Sequence, residues 1–271
     1  MGHLILVRHG ESRWNVDNKF TGWVDVPLTE IGIHEALIAA ERLDDLTIDI
    51  AFTSKLVRAH ETLLLILAHQ KKTGIFLHTS KKQQSWSMHY QGKEFEENEI
   101  PIYSSEKLNE RYYGKLQGMN KDAARKKWGE EQVHIWRRSF DMPPPGGESL
   151  KDVCNRAIPY FKKTILPLVK AGKNVIIAAH GNSLRALIKH IDNITDENIP
   201  NLELELGKPI IYRWHSKKLV KINHAHNFNR PTQWEPTAKH KRTYSQAKVT
   251  NTKRGTSTKK GTSKKKVAKK K

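Results

Sequence analysis

Two segments of this sequence carry a histidine in the same setting. His3–Arg8 (HLILVR) is an apolar run leading into Arg8-His9-Gly10-Glu11, and 174–179 (NVIIAA) leads into His180-Gly181-Asn182. An imidazole changes protonation near neutral pH, so it serves readily as nucleophile or as acid and base. The glycine beside each histidine lets a ligand approach the backbone closely. In open α/β sheets ligands bind beyond the carboxyl ends of the strands, where both histidines fall. The start of a helix after His180 favours an anion. One such histidine would be an ordinary loop or packed residue; two in the same context point to a site.

Arginines extend the anion theme. Arg58 lies early in the helical stretch after a second short apolar run, and Arg137-Arg138 form an adjacent pair. A guanidinium fork binds phosphate or carboxylate through two bonds, which an ammonium does not. Surface solvation is the competing reading for each of them. Glu110, in LNERYYG, is equally open to a solvated reading when taken alone.

The elements that must position these residues alternate between strand and helix. The apolar runs predict strands at 3–8, 49–53 and 174–179. Thr29 is the expected N-cap of a helix with apolar positions from Ile33 to Leu43, and Ser54 the expected cap of one running through Leu56, Val57, Leu63, Leu64, Ile66 and Leu67. A helical stretch from Ser149 to Val169 contains Pro159 and Pro167, which predict a kink or break. Ser183–Ile191 reads as a helix, and 210–214 with 219–222 as a closing hairpin. This pattern predicts an α/β fold: three layers, a mostly parallel sheet flanked by helices. The polar stretch from Gln70 to Ser104 reads as a long surface excursion.

The chain has 271 residues, with 48 Lys+Arg against 28 Asp+Glu and a net charge of +20. From Pro236 to Lys271 there are 14 Lys+Arg and no acidic residue, which leaves +6 for the remainder. That segment has too little apolar surface to offset the entropy of ordering, so a disordered basic C-terminal tail is expected. The expected division is a catalytic domain over 1–227 and a Lys-rich tail over 228–271. A single cysteine, Cys154, excludes an internal disulfide framework and a Cys-based zinc finger. The early apolar run is too short for a secretory leader or a membrane span, and a cytoplasmic setting is the expectation.

The blocks LVRHGESRWN, FTGW, TSKLVRAHETL, LNERYYGKLQGMNK, WRR, GGES and VIIAAHGNSLRAL together resemble the 2,3-bisphosphoglycerate-dependent phosphoglycerate mutases of the histidine phosphatase superfamily. They occur in the family's order over most of residues 3–227. The RHG element marks the superfamily; LNERYYGKLQGMNK is much more specific to the mutases. The resemblance implies a phosphoglycerate mutase-like fold and an isomerase of glycolysis and gluconeogenesis. It interconverts 2- and 3-phosphoglycerate through a phosphohistidine, primed by 2,3-bisphosphoglycerate and needing no metal. His9 is then the nucleophile, with Arg8, Arg58 and His180 around the transferring group and Glu110 as general acid and base. Asn15, Thr21 and Gly22 match further phosphate contacts, and Arg111, Tyr112 and Tyr113 flank the base. Lys121, Arg137 and Arg138 match residues holding the substrate's charged groups, and Gly181-Asn182 lie beside His180. A homodimer is compatible with the resemblance.

This chain departs from the family pattern in a longer run between Arg58 and Glu110 and in having only seven residues between Arg138 and Gly146. The basic tail has no counterpart in the motif set. Two alternatives stay open: a phosphatase of the same superfamily, with water as acceptor, and nonspecific polyanion binding through the tail as an added role.

Overall fold

The computed structural model describes residues 1–222, except 79, 81, 84, 85 and 87–92. The Lys-rich segment 228–271 and the heart of the polar stretch lie outside the described residues. β1 (His3–Arg8) is followed by the short α1 (Arg13–Val16) and by α2 (Glu30–Arg42). Then come β2 (Ile50–Thr53), α3 (Val57–Leu67), β3 (Thr73–Phe76), α4 (Lys93–Asn98) and β4 (Glu99–Ser104). α5 (Lys121–Trp128), α6 (Glu130–Arg138), α7 (Leu150–Tyr160) and α8 (Leu166–Lys170) precede β5 (Val175–Ala179) and α9 (Gly181–Asp192). β6 (Pro209–His215) and β7 (Lys218–Ile222) form the closing hairpin.

The strands make one sheet in the order β3-β4-β2-β5-β1-β6-β7. Pairing is parallel from β3 to β1 and antiparallel through β6 and β7. Continuous apolar runs suit strands covered on both faces, because alternate side chains enter opposite layers. In β1, Leu4 and Leu6 join the core beneath α7 and α9, while Ile5 and Val7 join the core beneath α2 and α3. All four are fully buried.

Three expectations are corrected in detail. The stretch from Gln70 to Ser104 is not only a surface excursion, since it supplies β3 and β4, with Ile100 and Ile102 fully buried. Pro101 within β4 and the polar surroundings hide that strand from a pattern reading. Ser54 does not cap α3: the N-cap position is Leu56, and the Ser54 hydroxyl accepts from the Leu56 N–H at 3.0 Å. The two prolines act separately. α7 runs through Pro159, and a wider π-turn at Phe161–Ile165 precedes α8, whose first turn holds Pro167.

Candidate functional site

β2, β5 and β1 lie side by side, with Thr53 opposite Ala178 and Arg8 opposite Ala179. The residues that follow the three strands, Ser54, His180 and His9, therefore leave the same end of the sheet, His9 level with His180 and Ser54 one position behind. The His9 N–H donates to the Ala179 carbonyl at 3.0 Å, and the two imidazole rings sit 5.0 Å apart, centroid to centroid. Gly10 lets this turn pack against α2: a Cβ there would lie 2.2 Å from the Gly32 carbonyl oxygen.

His9 is buried, at 4% exposure. Its Nδ1 lies 2.7 Å from the Gly10 carbonyl oxygen, which only accepts, so Nδ1 carries the hydrogen. Nε2 then holds the lone pair. Burial, with Arg58 and Arg8 nearby, holds His9 well below the ordinary imidazole pKa. His180 is fully buried and depressed for the same leading reason, with Arg58, His9 and Arg8 adding to it. Both rings are neutral at neutral pH, the state a nitrogen nucleophile requires.

Arg58 is buried in full, contrary to the solvated reading open to a helix arginine. Its Nε points to His9 Nε2 at 3.3 Å, while Nη1 and Nη2 donate to the carbonyls of Val24 and Gly22 at 3.0 and 2.8 Å. Burial lowers it to about 10, which leaves it charged. Arg8 donates through Nη1 to the Leu204 carbonyl at 2.8 Å. Its Nε and the Nδ1 of His180 are buried and without hydrogen-bond partners. An unpartnered guanidinium donor and an unpartnered imidazole nitrogen beside a neutral imidazole suit an oxygen-rich anion, because each unmet bond carries a desolvation cost that such a ligand removes.

A cavity of about 280 Å³ opens over this cluster. Glu110 lies on its wall, its Oε1 accepting from Asn182 Nδ2 at 2.8 Å, the Asn182 N–H at 3.2 Å and the Arg111 N–H at 2.7 Å. Another part of the lining is built on α5 and α6, which pack through Phe20, Leu116, Ala124, Val133 and Trp136. Burying side chains such as Phe20 and Val133 stabilises by about 1.5–3 kcal/mol each, and Lys121, Arg137 and Arg138 from these helices line the cavity. Lys121 is lowered to about 8 by burial, with the nearby Arg137 adding to it.

Of the expected site residues, Arg8, His9, Asn15, Thr21, Gly22, Arg58, Glu110, Tyr113, Lys121, Arg137, Arg138, Gly181 and Asn182 line the cavity. His180 sits beside His9 and does not line it. Arg111 is fully buried outside the lining, with its guanidinium 4.8 Å from the Tyr113 ring centroid. Tyr112 is exposed and packs edge-on against Trp23. Lys19, Phe20, Arg185 and Glu203 also line the cavity and escaped the sequence reading. Arg185 stands one helical turn after Asn182, a legible signal. Glu203, which pairs with Arg138 at 2.6 Å, carries none.

The family profile for the histidine phosphatase superfamily (branch 1) matches residues 4–97 and 90–225. A 2,3-bisphosphoglycerate-dependent phosphoglycerate mutase from Methanosarcina acetivorans is 52% identical over 237 residues, covering 82% of this chain and 96% of that protein. The chain belongs to the 2,3-bisphosphoglycerate-dependent phosphoglycerate mutase family of this superfamily. A second member of that family, from Chlamydia felis, is 50% identical over 216 residues, covering 79% of this chain and 94% of that protein. Among solved structures, a mycobacterial glucosyl-3-phosphoglycerate phosphatase superposes with a TM-score of 0.65 at 22% identity, over 82% of this chain and 98% of its own. The α-ribazole phosphatase from Shigella flexneri gives 0.62 at 23%, over 81% and 94%. These two share the fold.

Proposed function

We propose that this phosphoglycerate mutase family member interconverts 2-phosphoglycerate and 3-phosphoglycerate, with His9 carrying the phosphoryl group between half-reactions. The observation that carries this reading is a second set of cations, Lys121, Arg137 and Arg138, lining the same cavity as His9. A hydrolase needs only a phosphate cradle and a water; a mutase must also hold the acceptor's carboxylate while its hydroxyl meets the phosphoryl group. The bisphosphate primer, at about −1.5 to −2 per phosphate plus a carboxylate, fits a cavity walled by arginines and lysines with orphaned buried donors. When bound, 2,3-bisphosphoglycerate supplies the phosphoryl group that charges His9.

The chain's own residues divide the work. His9 Nε2 presents its lone pair, with Nδ1–H fixed on the Gly10 carbonyl. Arg8, Arg58 and His180 stabilise charge spread over the phosphoryl oxygens, which is most of what catalyses such transfers. Glu110 takes the proton from the attacking hydroxyl, or returns it to the leaving oxygen. Arg137 and Arg138 receive the carboxylate, and Arg111 supports the wall through its Nη2 bond to the Arg137 carbonyl. The natural setting of such an enzyme is glycolysis and gluconeogenesis in the cytoplasm; among the described residues no helix is long and apolar enough to cross a membrane. We assign the Lys-rich segment a nonspecific polyanion contact.

Purified protein with 3-phosphoglycerate should form 2-phosphoglycerate, and trace 2,3-bisphosphoglycerate should raise the rate. Inorganic phosphate released faster than the isomer forms would identify a phosphatase instead.

A further inference from the structure

The two strand-His-Gly segments are alike in sequence, yet only one histidine can be the phosphoryl carrier. The difference lies in what each ring meets on its inner side. His9 Nδ1 faces the Gly10 carbonyl, an obligate acceptor. His180 Nε2 faces the Ser54 hydroxyl at 2.8 Å, in a site where both residues are fully buried. A hydroxyl has one hydrogen and two lone pairs. Ser54 Oγ already accepts from the Leu56 N–H at 3.0 Å, and no other acceptor for its hydrogen lies within bonding distance among the described residues. The hydrogen therefore goes to His180 Nε2.

We infer that Ser54 is a positioning residue that selects the Nδ1–H tautomer of His180, which leaves His180 a neutral hydrogen-bond donor with no free lone pair and His9 as the member of the pair able to attack. This deepens the mutase reading and rests on it. With Nε2 engaged by Ser54, the proton of the neutral ring sits on Nδ1, the buried atom that lacks a protein partner. That N–H is then free for a phosphoryl oxygen. His9, by contrast, has its N–H tied to the main chain and its lone pair on Nε2 toward Arg58. The sheet register enforces the arrangement: β2, β5 and β1 run parallel and adjacent, so Ser54, His180 and His9 emerge together. The nature of the group hydrogen-bonded to one ring nitrogen decides the chemistry of the other.

The test reads the tautomer directly. Long-range ¹H–¹⁵N NMR of the full-length, unphosphorylated protein at pH 7.5 should show His180 protonated on Nδ1 and His9 likewise, with Nε2 unprotonated in both. A His180 ring protonated on Nε2 would overturn the inference whether or not the protein proves to be a mutase. In Ser54→Ala the His180 signals should shift toward a tautomer mixture, and labelling of His9 from 2,3-bisphosphoglycerate should slow at least tenfold with KM for phosphoglycerate within about threefold. Ser54→Thr, which keeps the hydroxyl, should recover most of the labelling rate. Native labelling and an unchanged tautomer in a folded Ser54→Ala would also overturn it. If that variant fails to fold, the wild-type spectrum and Ser54→Thr still decide.

Discussion

Glu110 is held by Asn182 through one carboxylate oxygen only. Oε1 accepts from the Asn182 side chain at 2.8 Å and its N–H at 3.2 Å, while Oε2 takes part in neither bond. One oxygen anchors the group at the first turn of α9, and the other stays clear of that anchor. The adjoining loop is clamped as well: Arg156 donates to the Glu110 carbonyl at 2.9 Å and to both Glu148 oxygens.

Replacing Glu110 by Gln keeps the shape and the anchoring bonds to Asn182 but removes the base. Turnover should fall by about 10²–10⁴-fold while the thermal midpoint stays near wild type. Steady-state kinetics beside a melting curve checks both; an unfolded variant or unchanged turnover would make Glu110 structural.

His9→Ala should abolish mutase activity and acid-labile labelling from 2,3-bisphosphoglycerate together. Mass spectrometry of the labelled peptide locates the phosphate. Label retained at His180 in this variant would move the nucleophile to the other strand end.

The depressed pKa values of His9 and His180 have a stability consequence with a definite sign. In the unfolded chain both rings protonate near the ordinary value of about 6.5. Between that value and the lower folded one the unfolded state binds more protons, so stability falls as pH falls. The contribution is complete above pH 6.5 and is lost as pH drops toward the folded pKa. Thermal midpoints in phosphate-free buffer should decline from pH 7 to pH 5, and the double substitution His9→Gln with His180→Gln should flatten that decline. A slope unchanged in the double variant would place the titrating groups elsewhere.

Deleting 236–271 removes 14 cations and no acidic residue. Mutase activity should remain within about twofold, because chain termini of this composition rarely contribute buried contacts. Retention on heparin or DNA should largely disappear, and in the intact protein it should weaken steeply with salt and depend little on base sequence. A folded truncation that loses catalysis would show that the tail reaches the site or a subunit contact.

The continuous apolar runs at 4–7 and 175–179 were legible as buried strands because burial on both faces leaves no polar alternation to mistake. His9 and His180 were legible as candidate site residues because strand ends are where open sheets bind ligands. Arg58 and Glu110 were ambiguous until the family blocks stood beside them. Local pattern cannot tell a solvated guanidinium from one buried under a neighbouring loop.

Tertiary structure alone decided the rest. β3 and β4 exist because Ile100 and Ile102 find the core beneath α3, a pairing between residues distant in sequence from β2. Ser54 reads as a helix cap in one dimension; its hydroxyl meets His180, 126 positions away, only because β2 and β5 pair in register. Glu203 enters the cavity through Arg138 with no motif to announce it. Periodicity and composition record what each residue prefers from its near neighbours. Which side chains share a proton or a charge is settled by strand order and register, and those depend on the whole chain folding at once.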